Sequence, residues 1–194
     1  MIITLDSGDA LIVVDVQNDF LPGGSLAVPM GNEIIPILNR YIALFHTHGL
    51  QIFAARDWHP PDHSSFLQQG GQWPPHCIAT TFGAEFPAGL ELPPDAHILS
   101  KATSREKDAY SGFADTQLNA LLKAFSIRRV FIGGLATEYC VLNTVKDALR
   151  YRYATFVVED AVRPLNINSN DGLNASEEMV RLGAIQICFE AFAA

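Results

Sequence analysis

Nucleophilic catalysis needs an attacking group, a base that can take its proton and a charge that favours the deprotonated form. Cys140, Asp15 and Lys101 are residues of those types. Each stands at or just past the end of a short apolar run. Asp15 finishes Ala10 to Val16, Lys101 follows His97 to Leu99, and Cys140 is reached from Arg129 to Ile132 through Gly133-Gly134. Taken singly, each has an ordinary explanation: Asp15 as a turn cap, Lys101 as a solvated charge, Cys140 as a small core residue. Jointly they make a thiol, a base and a cation, and that combination favours a reaction over coincidence.

A second set lies close by. Asp57-Trp58-His59 sends its two ligand-type side chains to one side if the chain stays extended, and His76 returns along a Pro-rich segment as a third. One carboxylate and two imidazoles suit zinc, with manganese or iron as alternatives, and three protein ligands leave coordination positions open. His63 reads as an outer-shell or fourth ligand, or as a surface residue. His46, His48 and His97 read as helix-end or surface residues. The same ligand set describes non-haem iron oxygenases, but that reading leaves Cys140 and Lys101 without a task.

The stretch Gly133-Gly134-Leu135-Ala136-Thr137-Glu138-Tyr139-Cys140 passes from a strand into an amphipathic helix. With Thr137 as N-cap, Cys140 falls in the first turn. There the free backbone N–H groups and the helix dipole lower a thiol's pKa and can cradle an oxyanion. Cys188, inside the last apolar run, reads as packing. Phe20, Trp58, Tyr110 and Phe113 lie near these residues and could wall a flat aromatic substrate. No glycine-rich phosphate loop accompanies them, which argues against dinucleotide or ATP chemistry.

These residues need a frame to bring them together. Apolar, β-branched runs at Ala10 to Val16, Gln51 to Ala55, His97 to Leu99, Arg129 to Ile132, Thr155 to Val158 and Ile185 to Phe189 read as strands buried on both faces. Between several of them, Ile34, Leu38, Tyr41, Ile42 and Phe45, then Leu118, Leu121, Leu122 and Phe125, then Val141, Leu142, Val145, Ala148 and Leu149 follow helix-face spacing. Alternation of this kind specifies a doubly wound α/β fold: a mostly parallel six-stranded sheet with helices on both faces. Ligands of such sheets bind outside the carboxyl ends of the strands, where the candidate residues cluster. The Pro- and Gly-rich segment from Trp58 to Asp95 has no sustained period and reads as a long site-forming loop.

With 194 residues, 48% of them hydrophobic, the chain reads as one domain spanning 1–194. A formal net charge of -8 makes nucleic acid an unlikely partner. Three scattered cysteines, Cys77, Cys140 and Cys188, do not form a disulfide framework and fit a reducing compartment. The first residues lack a signal-peptide pattern, and no apolar run is long enough to span a bilayer, so a soluble, cytoplasmic protein without membrane association is expected. Asn174, in a glycosylation-type sequon, reads instead as a helix N-cap with Glu177 three residues on.

Asp15-Val16-Gln17-Asn18-Asp19-Phe20, Arg56-Asp57-Trp58-His59-Pro60, Trp73-Pro74-Pro75-His76-Cys77, Ser100-Lys101-Ala102, Tyr110-Ser111-Gly112-Phe113 and Ala136-Thr137-Glu138-Tyr139-Cys140 together resemble the nicotinamidase/pyrazinamidase family of isochorismatase-like hydrolases. The resemblance implies that Cys140 is the nucleophile, Asp15 the general base and acid and Lys101 the third catalytic member, with Asp57, His59 and His76 holding a divalent metal, zinc first. It implies a cis Leu135-Ala136 bond and an oxyanion site at the backbone N–H groups of Ala136 and Cys140. Substrate contacts are expected from Phe20, Trp58, Tyr110, Leu135, Ala136 and Tyr139. The implied reaction is hydrolysis of nicotinamide, and of pyrazinamide, through a cysteine thioester, by a homo-oligomer. The alternative is a related amidase acting on another small amide. Isochorismatases lack the nucleophilic cysteine, and carbamoyl-sarcosine amidases share the triad but not the metal ligands, so possession of both sets favours the nicotinamidases.

Overall fold

The computed structural model describes residues 2–192. The apolar runs form six strands, β1 (Asp9–Val14), β2 (Gln51–Asp57), β3 (His97–Lys101), β4 (Arg129–Leu135), β5 (Ala154–Arg163) and β6 (Ile185–Ile187). They make one sheet in the order β3-β2-β1-β4-β5-β6, with every neighbouring pair parallel. Every residue of β1 is buried, as a central strand covered on both faces requires.

The side-chain alternation of β1 divides the core. Leu11 and Val13 face the layer of α1 (Ile34–Thr47), which buries Ile34, Leu38, Tyr41, Ile42 and Phe45. Ala10, Ile12 and Val14 face α2 (Leu118–Ala124), α3 (Leu142–Arg150) and α4 (Asp171–Arg181). The sheet grows from β1 to β2 to β3 in one direction, then the chain returns to lay β4 on the other side of β1. At that reversal the connections leave in opposite directions and open a crevice beyond the carboxyl ends of β1 and β4. Asp15 follows β1 directly, and the turn carrying Cys140 follows β4.

Several element boundaries differ from the sequence-based expectation. β2 continues through Asp57, β3 through Lys101 and β4 through Leu135, so three site-bearing segments are strand ends rather than loops. β6 stops at Ile187 because Phe189–Ala191 form a 3-10 turn. Cys188 is therefore not packed inside a strand: it is partly exposed, and its thiol donates to Glu159 Oε1 at 3.2 Å. Asn174 is not an N-cap, because α4 begins a turn earlier. The cap position is Asn170, and the Asn174 N–H already bonds its carbonyl at 2.9 Å.

The segment between β2 and β3 is tied internally. Parallel bridges join His59 to Ile78 and Phe66 to Trp73, and Leu67–Gln69 and Phe82–Ala84 form 3-10 turns. Among the described residues no helix is long and apolar enough to cross a membrane.

Candidate active site

Lys101 is the centre of the site. Its side chain is fully buried at the end of β3. Nζ donates to Asp57 Oδ1, to the Ala109 carbonyl at 3.0 Å and to Cys140 Sγ at 3.5 Å. An ammonium has only three hydrogens, so its four neighbours share them, and Asp15 Oδ2 at 2.8 Å is a stronger acceptor than the thiol sulfur at 3.5 Å. Asp15 therefore has no donor of its own: it shares the ammonium with Asp57 and lies against the Cys140 thiol. Burial raises the Asp15 carboxyl to about 6 even though Lys101 pulls it down. Lys101 itself is opposed by burial, but Asp15 and then Asp57 outweigh that and keep the ammonium charged well above its ordinary range.

Asp15 adopts a left-handed backbone, φ 50°. Aspartate is among the few non-glycine residues that tolerate that conformation, at a cost of order 1 kcal/mol or more. On the neighbouring strand, Gly134 (φ 131°) approaches β1 so closely that any Cβ would collide with the Val14 carbonyl. Glycine there lets β4 deliver the nucleophile's turn beside Asp15.

That turn differs from the expected one. Thr137 is not the N-cap: Ala136 occupies the cap position with extended angles, and Thr137–Val141 form one π-helical turn before α3. The Ala136 carbonyl accepts from Val141 N–H at 3.2 Å, and Thr137 Oγ1 is buried without a partner. Cys140 still lies in this first, widened turn, of a kind often found at functional sites. The Leu135-Ala136 bond is cis. The thiol does not behave as the helix dipole alone would dictate. Burial, then the charge of Asp15, push Cys140 well above the ordinary thiol range, with Lys101 opposing. The resting nucleophile is a neutral thiol beside a buried carboxylate.

Asp57, His59 and His76 bring one ligand atom each within 4.8 Å of one another, all buried. His59 Nδ1 lies 3.3 Å from the Ala102 carbonyl and His76 Nδ1 2.8 Å from the Pro74 carbonyl. A carbonyl only accepts, so Nδ1 carries the hydrogen in both rings and the lone pair is on Nε2. His59 Nε2 is buried with no hydrogen-bond partner, 3.7 Å from Asp57 Oδ2. Burial also holds both rings neutral, His59 down to about 4 and His76 lowered, the form that binds metal. For Asp57, burial works upward, but Lys101 and then His59 outweigh it and keep the carboxyl ionised. An orphaned buried nitrogen, a free second nitrogen and a carboxylate oxygen fit a divalent cation.

His63 has the opposite tautomer. Its Nδ1 accepts the Ser65 N–H at 3.3 Å, leaving Nε2 to donate to the Lys107 carbonyl at 3.3 Å. Both nitrogens are occupied, and the ring packs on His59 with centroids 4.2 Å apart. In this arrangement the ring supports His59, and a direct metal bond from it would require one of these hydrogen bonds to be given up. A second ligand-like group, Asp15, Asp57 and Cys140, surrounds Lys101 and is filled by its ammonium.

Cys140, Asp57 and His76 open into a cavity whose walls include Phe20, Trp73, Tyr110, Ala136 and Tyr139. Three expected wall residues lie elsewhere. Trp58 falls between Asp57 and His59, so the alternation that directs those two inward turns it away, and it stacks under the Arg56 guanidinium, 3.7 Å from the ring centroid. Leu135 is fully buried in the core on the α1 side. Phe113 also packs away, against Tyr151 and Tyr153. The walls that sequence reading missed are Trp73, Leu26, Val28 and Leu165. Trp73 was readable from its place three residues before His76; the aliphatic three carry no local signal. Trp73 Nε1 donates to Tyr110 Oη at 2.9 Å and closes one side. The space left is about 30 Å³, against the ~150 Å³ of an apolar cavity that takes up benzene, so an aromatic ligand must part these walls.

Comparison with known proteins agrees with this architecture. An Isochorismatase domain model matches residues 9–190. The Escherichia coli (strain K12) nicotinamidase is 36% identical, the match covering 90% of this chain and 92% of the relative. The pyrazinamidase of Pyrococcus horikoshii, solved in complex with zinc, superposes with a TM-score of 0.90 at 48% identity, covering 94% of this chain and 99% of that one. An L. infantum protein solved with nicotinate gives a TM-score of 0.92 at 32% identity over 100% of both chains. A match of this extent, on a sheet whose switch point carries a buried Cys-Asp-Lys group, places the chain in the isochorismatase family.

Proposed function

We propose that the chain is a nicotinamidase that hydrolyses nicotinamide to nicotinate and ammonia, and pyrazinamide to pyrazinoate, with Cys140 as nucleophile, Asp15 as base and acid, and Lys101 fixing the charge of both. The observation that carries the assignment of roles is the single ammonium that touches Asp15, Asp57 and Cys140 at the floor of an aromatic cavity. The nicotinamidase and pyrazinamidase relatives supply the substrate class.

Asp15, which lies against the thiol, takes the Cys140 proton as Sγ attacks the amide carbon. The backbone N–H groups of Ala136 and Cys140 receive the oxyanion. The C–N bond breaks, Asp15 passes its proton to the departing amine as ammonia, and a thioester remains on Cys140. Asp15 then takes a proton from water, whose hydroxide attacks the thioester; the thiol regains that proton, and the acid leaves as nicotinate with its own proton lost to ammonia in solvent. Lys101 stays charged throughout and lowers the cost of thiolate and carboxylate together.

Asp57, His59 and His76 would hold a divalent ion, zinc in our reading, which would supply a Lewis acid for a ring nitrogen. The walls Phe20, Trp73, Tyr110 and Tyr139 then set the carboxamide against Sγ, and positioning is most of what binding contributes. The free thiols of Cys77, Cys140 and Cys188 support a cytoplasmic location.

Ammonia release should be measured from nicotinamide, pyrazinamide and benzamide, with and without a chelator. Turnover of the first two, chelator-sensitive and restored by zinc, is expected. Benzamide turnover equal to nicotinamide would assign the site to another small amide and remove the ring nitrogen from the argument.

A further inference from the structure

Gln17 is fully buried, and its amide bonds only to main chain. Nε2 donates to the Asp57 carbonyl at 2.8 Å and the Ala84 carbonyl at 2.9 Å, while Oε1 accepts the Asp57 N–H at 2.8 Å. One side chain thus pairs with both backbone groups of Asp57. The β1–β2 ladder ends at Val14 and Ala55, whereas β2 continues beside β3 as far as Asp57 and Lys101. Beyond Ala55 the β1 side of Asp57 has no strand to bond, and the Gln17 amide takes the strand's place.

Two residues on, Asp19 makes the matching contact. Its Oδ2 accepts the Cys77 N–H at 2.7 Å and its Oδ1 the Ser25 N–H at 3.3 Å. Cys77 directly follows His76, and its carbonyl accepts the His59 N–H at 2.9 Å. The short segment after β1 therefore grips all three ligand-bearing positions through main chain: Asp57 by Gln17, and His76 and His59 by way of Asp19 and Cys77. The same segment begins with Asp15.

The grip matters because Asp57 is divided. Lys101 draws Oδ1 toward the thiol side, and Oδ2 must still face His59. If the backbone at 57 shifts, the ammonium can claim both oxygens. We infer that Gln17, assisted by Asp19, is the positioning residue of the metal cage, holding the Asp57 main chain so that its carboxylate serves Lys101 and the metal at once. This rests on Asp57, His59 and His76 being metal ligands.

The test compares the zinc dissociation constant of the full chain, wild type and Gln17→Met, by competition with a chromophoric chelator, alongside melting of the metal-free proteins. Methionine keeps the length and apolar volume and removes all three bonds. Zinc affinity should fall about 10- to 100-fold at a temperature where both proteins are folded, with KM for nicotinamide rising more than kcat falls. Should Gln17→Met not fold, Asp19→Ala, on the half-buried arm, should show the same weakening in milder form. A lower melting temperature with zinc affinity within twofold of wild type overturns the inference and leaves Gln17 a structural plug. Failure of wild type itself to bind zinc, manganese or iron overturns the cage, and this inference with it; the two failures are distinguished by the wild-type titration alone.

Discussion

β1 carries a fully buried aspartate near each end, and the two are treated differently. At the amino end, Asp9 faces Arg129, its register partner on β4. Arg129 Nε and Nη2 bond the two Asp9 oxygens as a bidentate fork, and the Asp6 N–H adds a third donor at 2.7 Å. Three N–H donors hold its two oxygens, the guanidinium opposes its charge, and no acidic hydrogen lies beside it to be taken. At the carboxyl end, Asp15 has no guanidinium or backbone N–H of its own: it shares one ammonium with Asp57, and its other neighbour is the Cys140 thiol. A saturated carboxylate serves as structure, whereas an undersatisfied one beside an acidic hydrogen serves as a base. Burial alone does not separate the two ends; the kind of donor does.

The sharpest way to break this contrast is Cys140→Ala. If the undersatisfied end exists to run a thiol reaction, ammonia release from nicotinamide should fall by at least ~10³-fold while bound zinc, measured on the purified protein, stays unchanged. Retained turnover would remove the sulfur from the mechanism and leave Asp15 without a proton to take.

Lys101→Met tests the cation. Without the ammonium, burial of Asp15 is unopposed and its carboxyl rises further, so it is neutral and cannot act as a base. A loss of ~10²–10³-fold in kcat is expected, together with destabilisation of about 3–5 kcal/mol from the uncompensated carboxylates, read from urea unfolding. Near-normal kcat would show that the shared ammonium is packing.

How much of this was legible in the chain follows from where each signal resides. The six runs could be read as buried strands because a central parallel sheet leaves no polar alternation, and the site residues could be grouped because each stands at a strand's carboxyl end. The exact strand ends could not: Asp57 and Lys101 belong to strands only because β2 and β3 extend past β1, a pairing fact absent from local composition. The direction of the Cys140 shift was misread because the helix dipole is local and visible, while burial under Asp15 and Lys101 is tertiary. Trp58 was misplaced although the alternation argument for Asp57 and His59 already turned it outward. The π-turn at Thr137 closes on a local bond from Val141 N–H to the Ala136 carbonyl that no motif encodes, and the tautomer of His63 is fixed by the carbonyl of Lys107, far along the chain.

Arg129→Met probes the other end. It leaves Asp9 buried with the Asp6 N–H as its remaining donor, and because Arg129 is itself partly exposed the loss should be about 2–3 kcal/mol, at the low end for a broken buried pair. kcat and KM for nicotinamide should be unchanged at a temperature where the protein is folded, since the pair lies a full strand length from Cys140. A change in kcat with retained fold would mean that the two ends of β1 are coupled, and the division into structural and reactive aspartates would fail.

The smallest expected effect concerns how the reactive end is closed. Trp73 Nε1 loses its acceptor in Tyr110→Phe, while the ring that walls the cavity is kept. Because the walls must part before a pyridine ring can enter a space of about 30 Å³, removing one hydrogen bond of about 1 kcal/mol should speed association and lower KM by up to ~5-fold, with kcat within about twofold. Stopped-flow quenching of the Trp73 fluorescence by nicotinate would report the entry step directly. An unchanged association rate would show that the ring enters past another wall, and Leu26, Val28 and Leu165, which share no hydrogen bond with the Trp73 side, would then be the part of the cavity that yields.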